Sequence, residues 1–272
     1  MALIRLMAAF VRRDVKIALS YRLQFFLQVA SVLSLSITFF FLSVMLSRAE
    51  MHIATLGRYG GRYFGFVLVG LAFSTFLDGT LRTFSIAIRQ AQITGTLEAM
   101  LTTKARIGAV VAGSAVYTLM MTSVRTLLFG VFGVVVFQQR LHYEAWPAVV
   151  IVFALTVLCT LALGIFSAGF IVLYKQGDPV TGAISGLSWL LSGVLYPKEI
   201  MPLWVQRVAD ALPLTHTLES MRLALLTGAS ISELTRAMTF LTGFAAIGIP
   251  LAIVWFGWAV GRARIAGSLA KY

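Results

Sequence analysis

The sequence predicts an all-α membrane protein. Its parts are six transmembrane helices, an N-terminal interfacial amphipathic helix, a short cytoplasmic helix and a re-entrant outer helical hairpin between spans 5 and 6. Three observations carry that prediction. Hydrophobic residues fill 59% of the 272 positions and charged residues only 12%, whereas a soluble domain carries about 25% charged residues. The apolar residues fall in runs that approach or exceed the roughly 20 helical residues needed to cross a hydrocarbon core of ~30 Å. The basic residues gather on one side of the topology that those runs define.

Residues 1–22 read as a helix lying in the membrane surface. Leu3, Leu6, Met7, Phe10 and Ile17 share one arc of about 100°, and Arg5, Arg12, Arg13 and Lys16 fill the arc beside it, with Asp14 the exception. The remainder, 23–272, reads as one membrane domain, with spans near 23–47, 63–88, 107–137, 146–174, 180–196 and 238–260. The fifth is short for a span. No cleavable leader is expected, because the first run of spanning length begins near Leu23 with no small-residue cleavage site behind it.

With the N-terminus inside, thirteen basic and three acidic residues fall on the cytoplasmic side, and eight basic and six acidic residues on the outer side. The net charge of +12 is therefore a positive-inside signature, and phospholipid headgroups explain it better than nucleic acid does. This predicts an inner-membrane protein with both termini cytoplasmic and lipids as partners.

After span 2 the chain reads RQAQITGTLEAMLTTKARIG, Arg89–Gly108. Thr94 or Gly95 caps a short helix over about 94–103, and Glu98 in its first turn suits the helix dipole. Leu97, Met100 and Leu101 give it an apolar edge, so it suits docking into a partner's groove. Gly177-Asp178-Pro179 makes a tight turn between spans 4 and 5. Beyond span 5, Pro197, Pro202 and Pro213 divide about 197–228 into two short amphipathic helices, 203–212 and 214–226. Both are too polar to span, and an outer hairpin is the simplest arrangement. Gly61/Gly65, Gly182/Gly186 and Gly257/Gly261 are small-residue pairs that permit close helix contacts.

Two segments carry a family resemblance. Gly95–Gly108, GTLEAMLTTKARIG, resembles the coupling-helix region of the second-type ATP-binding-cassette export permeases. Ser192–Gly228 is similar to their connection between spans 5 and 6, with Ser192-Gly193, Pro197, Pro202-Leu203-Trp204-Val205, Pro213-Leu214-Thr215-His216 and Met221-Arg222 in that order. The resemblance implies a transport subunit that pairs with a second permease, expected to be another copy of this chain. It also implies two copies of a separate ATPase. Gly95, Thr96, Leu97, Glu98, Met100 and Leu101 would receive the ATPase stroke, and Pro197, Pro202, Trp204, Pro213 and His216 would shape the outer hairpin. The dimer-facing sides of spans 1, 2 and 5, with Phe40 and Trp189 among their aromatics, would line the exit path. None of the five Lys stands in a G-K-[ST] context, so no cofactor is expected on this chain, and ATP and Mg belong to the partner.

Arg125, deep in span 3, is costly in a bilayer and must face protein, water or a partner. Asp78 in span 2 is a candidate counter-ion. The pair reads equally as an anion-attracting site on the substrate path and as an interhelical salt bridge. No catalytic or metal site is expected. His52, His142 and His216 all fall in outer segments, without H-E-x-x-H or paired Cys, and His216 suits a bond to a neighbouring helix end. The reading is an ATP-driven exporter subunit moving an amphipathic, drug-like or lipid-linked molecule, glycan-bearing lipids included. Its rivals are a membrane-embedded enzyme, which requires facing His, Asp or Ser groups, and an ion-coupled transporter, which requires several intramembrane carboxylates.

Overall fold

The computed structural model describes residues 22–48, 54–93, 107–138, 141–174 and 179–265. Among them there are eight α-helices and no strands. The long helices are α1 (Arg22–Arg48), α2 (Tyr63–Ile93), α3 (Ile107–Val135), α4 (Trp146–Tyr174) and α8 (Thr235–Ile265). Between α4 and α8 come α5 (Pro179–Leu191), α6 (Leu203–Ala209) and α7 (Pro213–Arg222). The amphipathic segment before Arg22 and the 94–103 segment lie outside the described residues.

Four stretches are long and apolar enough to cross a membrane: Ala30–Arg48, Tyr63–Thr83, Trp146–Tyr174 and Thr235–Ala263. Together they show a membrane protein with several apolar helices. α2 stands at the centre, in contact with α1, α3, α4, α5 and α7, while α8 packs along α4 and α7.

Lipid tails are as apolar as leucine, so polar groups and close backbone approach do much of the joining of helices. Thr126 Oγ1 donates to the Ala72 carbonyl at 3.4 Å, tying α3 to α2. Thr156 and Thr217 share a hydroxyl hydrogen bond of 3.0 Å between α4 and α7. Ser167 of α4 and Thr181 of α5 join their hydroxyls. Trp255 Nε1 donates to the Phe166 carbonyl at 3.0 Å, which holds α8 on α4.

The boundaries depart from expectation mainly around α5. The fifth apolar run, expected over 180–196, forms a helix only to Leu191, and 13 residues give about 20 Å of helix, short of the ~30 Å core. Gly193 breaks it, with φ +71°, and a side chain there would sit 2.8 Å from the Tyr196 carbonyl. The Tyr196 hydroxyl then donates back to the Leu190 carbonyl at 2.7 Å. The first hairpin helix stops at Ala209, and the second continues beyond Arg222 as one wide turn, Leu223–Thr227, closed by left-handed Gly228. The connection after α1 is also more than a loop, since its 3₁₀ turn Ala54–Tyr59 buries Leu56 and Tyr59.

Candidate functional site

The hairpin end of the bundle is organised by one buried cation. Arg222 closes α7 with 3% of its surface exposed. Its Nε donates to the Phe66 carbonyl of α2 at 3.1 Å, and its Nη2 donates to the carbonyls of Gly193 and Val194, each at 3.0 Å. The guanidinium carbon lies 3.4 Å from the centre of the Phe66 ring, with the Tyr59 ring 5.9 Å away. Burial pushes this group down to about 9, so it remains a cation near neutral pH. A charge buried without a carboxylate against it is tolerated because carbonyl dipoles and an aromatic face replace its water.

Gly70 makes the clamp possible. A methyl there would drive into the Val194 carbonyl and stand 2.9 Å from Arg222 Nη2. The backbone after α5 thus rests directly on α2, and Arg222 seals the contact.

Around the clamp runs a more exposed set of ion pairs. Arg58 meets Glu219 at 2.8 Å and Glu199 at 3.9 Å, and Lys198 meets Asp210 at 2.7 Å and Glu219 at 3.5 Å. Burial opposes the charge on Lys198, yet the Asp210 hydrogen bond and the nearby Glu219 outweigh it and raise its pKa. Tyr59 beneath is pushed up to about 12 by burial, with Glu199 and Glu219 adding to the effect. These contacts fasten the Ala54–Tyr59 turn to the hairpin.

Between α4, α7 and α8 lies a groove of about 1220 Å³. Ala162, Phe166, Phe244, Ile247, Gly248 and Leu251 form its apolar length, and Arg58, Lys198, Asp210, Glu219, Glu233 and Arg236 crowd its mouth.

The residues singled out from sequence are dispersed. Asp78 does not pair with Arg125: it binds Arg82 on its own helix at 2.8 Å and accepts from Ser185 Oγ of α5 at 2.8 Å. Arg125 is half-buried and forms no ion pair among the described residues. Phe40 packs in a ring cluster with Phe64 and Phe137, at 5.5 and 4.9 Å, joining α1, α2 and the turn that follows α3. Trp189 is exposed on α5 beside Gly186 and Leu190. Pro197 and Pro202 precede the 3₁₀ turn Lys198–Ile200 and α6, and Pro213 opens α7, where proline's missing N–H has no helical partner to lose. Trp204 on α6 is 72% exposed. His216 Nε2 lies 2.8 Å from the Asp210 carbonyl at the end of α6, and its ring stacks on Phe240 at 3.9 Å. Gly95, Thr96, Leu97, Glu98, Met100 and Leu101 lie outside the described residues.

Sequence reasoning placed Arg222 among the outer charges and missed its burial. The signal was available, because Arg222 follows Leu214 and Leu218 at four-residue spacing, and Leu226 continues the stripe. All of these are buried, and a charge in such a register needs a built partner.

A family model described as "ABC-2 type transporter" matches residues 6–226. Nodulation protein J of Rhizobium leguminosarum bv. trifolii is 28% identical over 179 residues, covering 61% of this chain and 64% of that protein. Nodulation protein J of Neorhizobium galegae is 27% identical over 185 residues, covering 66% of this chain and 68% of that protein. The chain therefore spans about two thirds of the length of the curated relatives it matches.

Proposed function

The chain belongs to the ABC-2 type transporter family, and we propose that it is the membrane subunit of an ATP-driven exporter. The observation that carries this reading is the family match over residues 6–226, which takes in both the 94–103 segment and the hairpin. ATP and Mg are held by a separate ATPase, two copies of which dock against the cytoplasmic face around Gly95–Leu101. A second copy of this chain completes the path.

Six spans follow when α3 and α5 are counted with the four long apolar stretches, α5 being completed by the hairpin as a re-entrant element. The basic excess favours both termini in the cytoplasm of an inner-membrane protein, and hence the hairpin at the outer face. The open sides of α1 and α5, where Phe41, Leu187, Trp189 and Leu190 are exposed, suit the meeting of two copies. A path bounded by such faces suits an amphipathic cargo, drug-like or lipid-linked, with glycan-bearing lipids in that class.

The test is affinity purification from native membranes followed by an ATPase assay. A nucleotide-hydrolysing subunit should co-purify, and Leu97→Arg or Glu98→Trp should uncouple hydrolysis from export while the chain still folds. A chain that purifies without any ATPase, or export unchanged by those substitutions, would sink the assignment.

A further inference from the structure

We propose that the groove between α4, α7 and α8 holds one glycerophospholipid from the leaflet at the hairpin end, an acyl chain along its length and the phosphate at Arg236. This site is separate from the open faces of α1 and α5 and does not depend on a partner ATPase.

Shape comes first. The groove encloses about 1220 Å³, more than the ~300–1,000 Å³ typical of pockets for drug-sized ligands. Its α8 wall runs from Arg236 to Ala252, about 24 Å at 1.5 Å per residue. That exceeds the ~15 Å depth of one leaflet's hydrocarbon, so a whole acyl chain fits along Phe166, Phe244, Ile247 and Leu251.

Charge at the mouth then selects the headgroup. Arg58 is engaged by Glu219, and Lys198 by Asp210 and Glu219. Glu233 accepts from the Ser230 backbone N–H at 2.8 Å and from the Ser230 hydroxyl at 3.2 Å. Arg236 remains. Among the described residues it makes no ion pair and no hydrogen bond, although it lines the mouth. A cation left over at the membrane interface, above an apolar channel, matches an anionic phosphate carried on hydrocarbon chains.

Native mass spectrometry of the detergent-purified chain tests this, with phosphatidylethanolamine or diacylglycerol of the same acyl chains added. One phosphatidylethanolamine per chain should survive removal of free lipid. Ile247→Trp, at a position 65% exposed, should fill the groove and abolish retention with an unchanged gel-filtration profile. Gly243→Phe offers a second filler, at a groove-lining position where an added Cβ meets nothing within 4 Å. Arg236→Ala should weaken phosphatidylethanolamine about five-fold and leave diacylglycerol unchanged. The proposal is overturned by no retained lipid, by retention that survives both fillers, or by equal retention of the two lipids in the unaltered chain. A dimer whose mass collapses on Ile247→Trp also overturns it, because a second copy then covers the groove.

Discussion

α1 and α2 are consecutive long helices, yet only 11% of the spanning stretch of α1 is buried within the chain, against 83% of that of α2. Hydropathy does not explain the difference, since α2 is the least apolar of the four long stretches. In lipid an apolar surface gains nothing by hiding, whereas small and polar residues gain contacts they cannot make with acyl chains. α2 carries Gly70, Asp78 and Gly79, which meet Val194, Ser185 and Thr122 from the elements around it. α1 has no glycine and no distinct polar face, and among the described residues it packs mainly on α3 and α2.

The largest effect should come from Arg222→Met. It leaves the carbonyls of Gly193 and Val194 without their donor and strips the Phe66 carbonyl of its bond from outside α2, at a cost of about 2–5 kcal/mol, read as a lowered unfolding midpoint of the detergent-solubilised protein. Arg222→Lys should not restore it, because one ammonium cannot match the planar fork. Stability equal to the unaltered chain would mean that α2 does not need the clamp.

Gly70→Val should cost about 1–3 kcal/mol, towards the upper end because the obstacle is backbone. Gly182→Val on the open side of α5, where an added Cβ meets nothing within 4 Å, should stay within about 0.5 kcal/mol. Equal costs would erase the distinction between packed and open faces.

Alkaline pH offers a third comparison, confined to the hairpin end. Tyr59 titrates at about 12 when folded, against 10.0 ordinarily, so its contribution is complete below pH 10 and is lost as pH rises towards 12. The raised pKa of Lys198 acts with the same sign. The lowered pKa of Arg222 acts with the opposite sign, so the readout is the difference between two chains: over that window the unaltered chain should lose stability relative to Tyr59→Phe by an amount on the order of 2 kcal/mol. The smallest effect belongs to Phe41→Ala in α1, 65% exposed, which should shift stability by no more than about 0.5 kcal/mol.

What the sequence disclosed follows the same physics. Helix identity came from apolar runs and turn chemistry, so Trp146–Tyr174 and the start of α2 at Tyr63 fall where expected. The end of α5 did not, because Gly193 and Val194 are held by a guanidinium 28 or more residues further along the chain, a contact that hydropathy cannot contain. Arg125 and Asp78 looked like a pair because both are charges inside apolar runs, and whether two helices turn those residues towards each other is decided by packing. The buried role of Arg222 was written in its four-residue stripe with Leu214 and Leu218 but obscured by the surrounding polar residues of α7.

The clamp also sets a clock for biogenesis. Phe66 and Arg222 are 156 positions apart, and at a synthesis rate of ~5–20 residues per second the acceptor waits roughly 8–30 s for its donor. Until then the first helices are in the bilayer with the hairpin end unsealed and Gly70 facing empty space. Closure of the clamp therefore waits until α7 has been synthesised, and a chain stalled before residue 222 leaves the Gly193 and Val194 carbonyls without their donor.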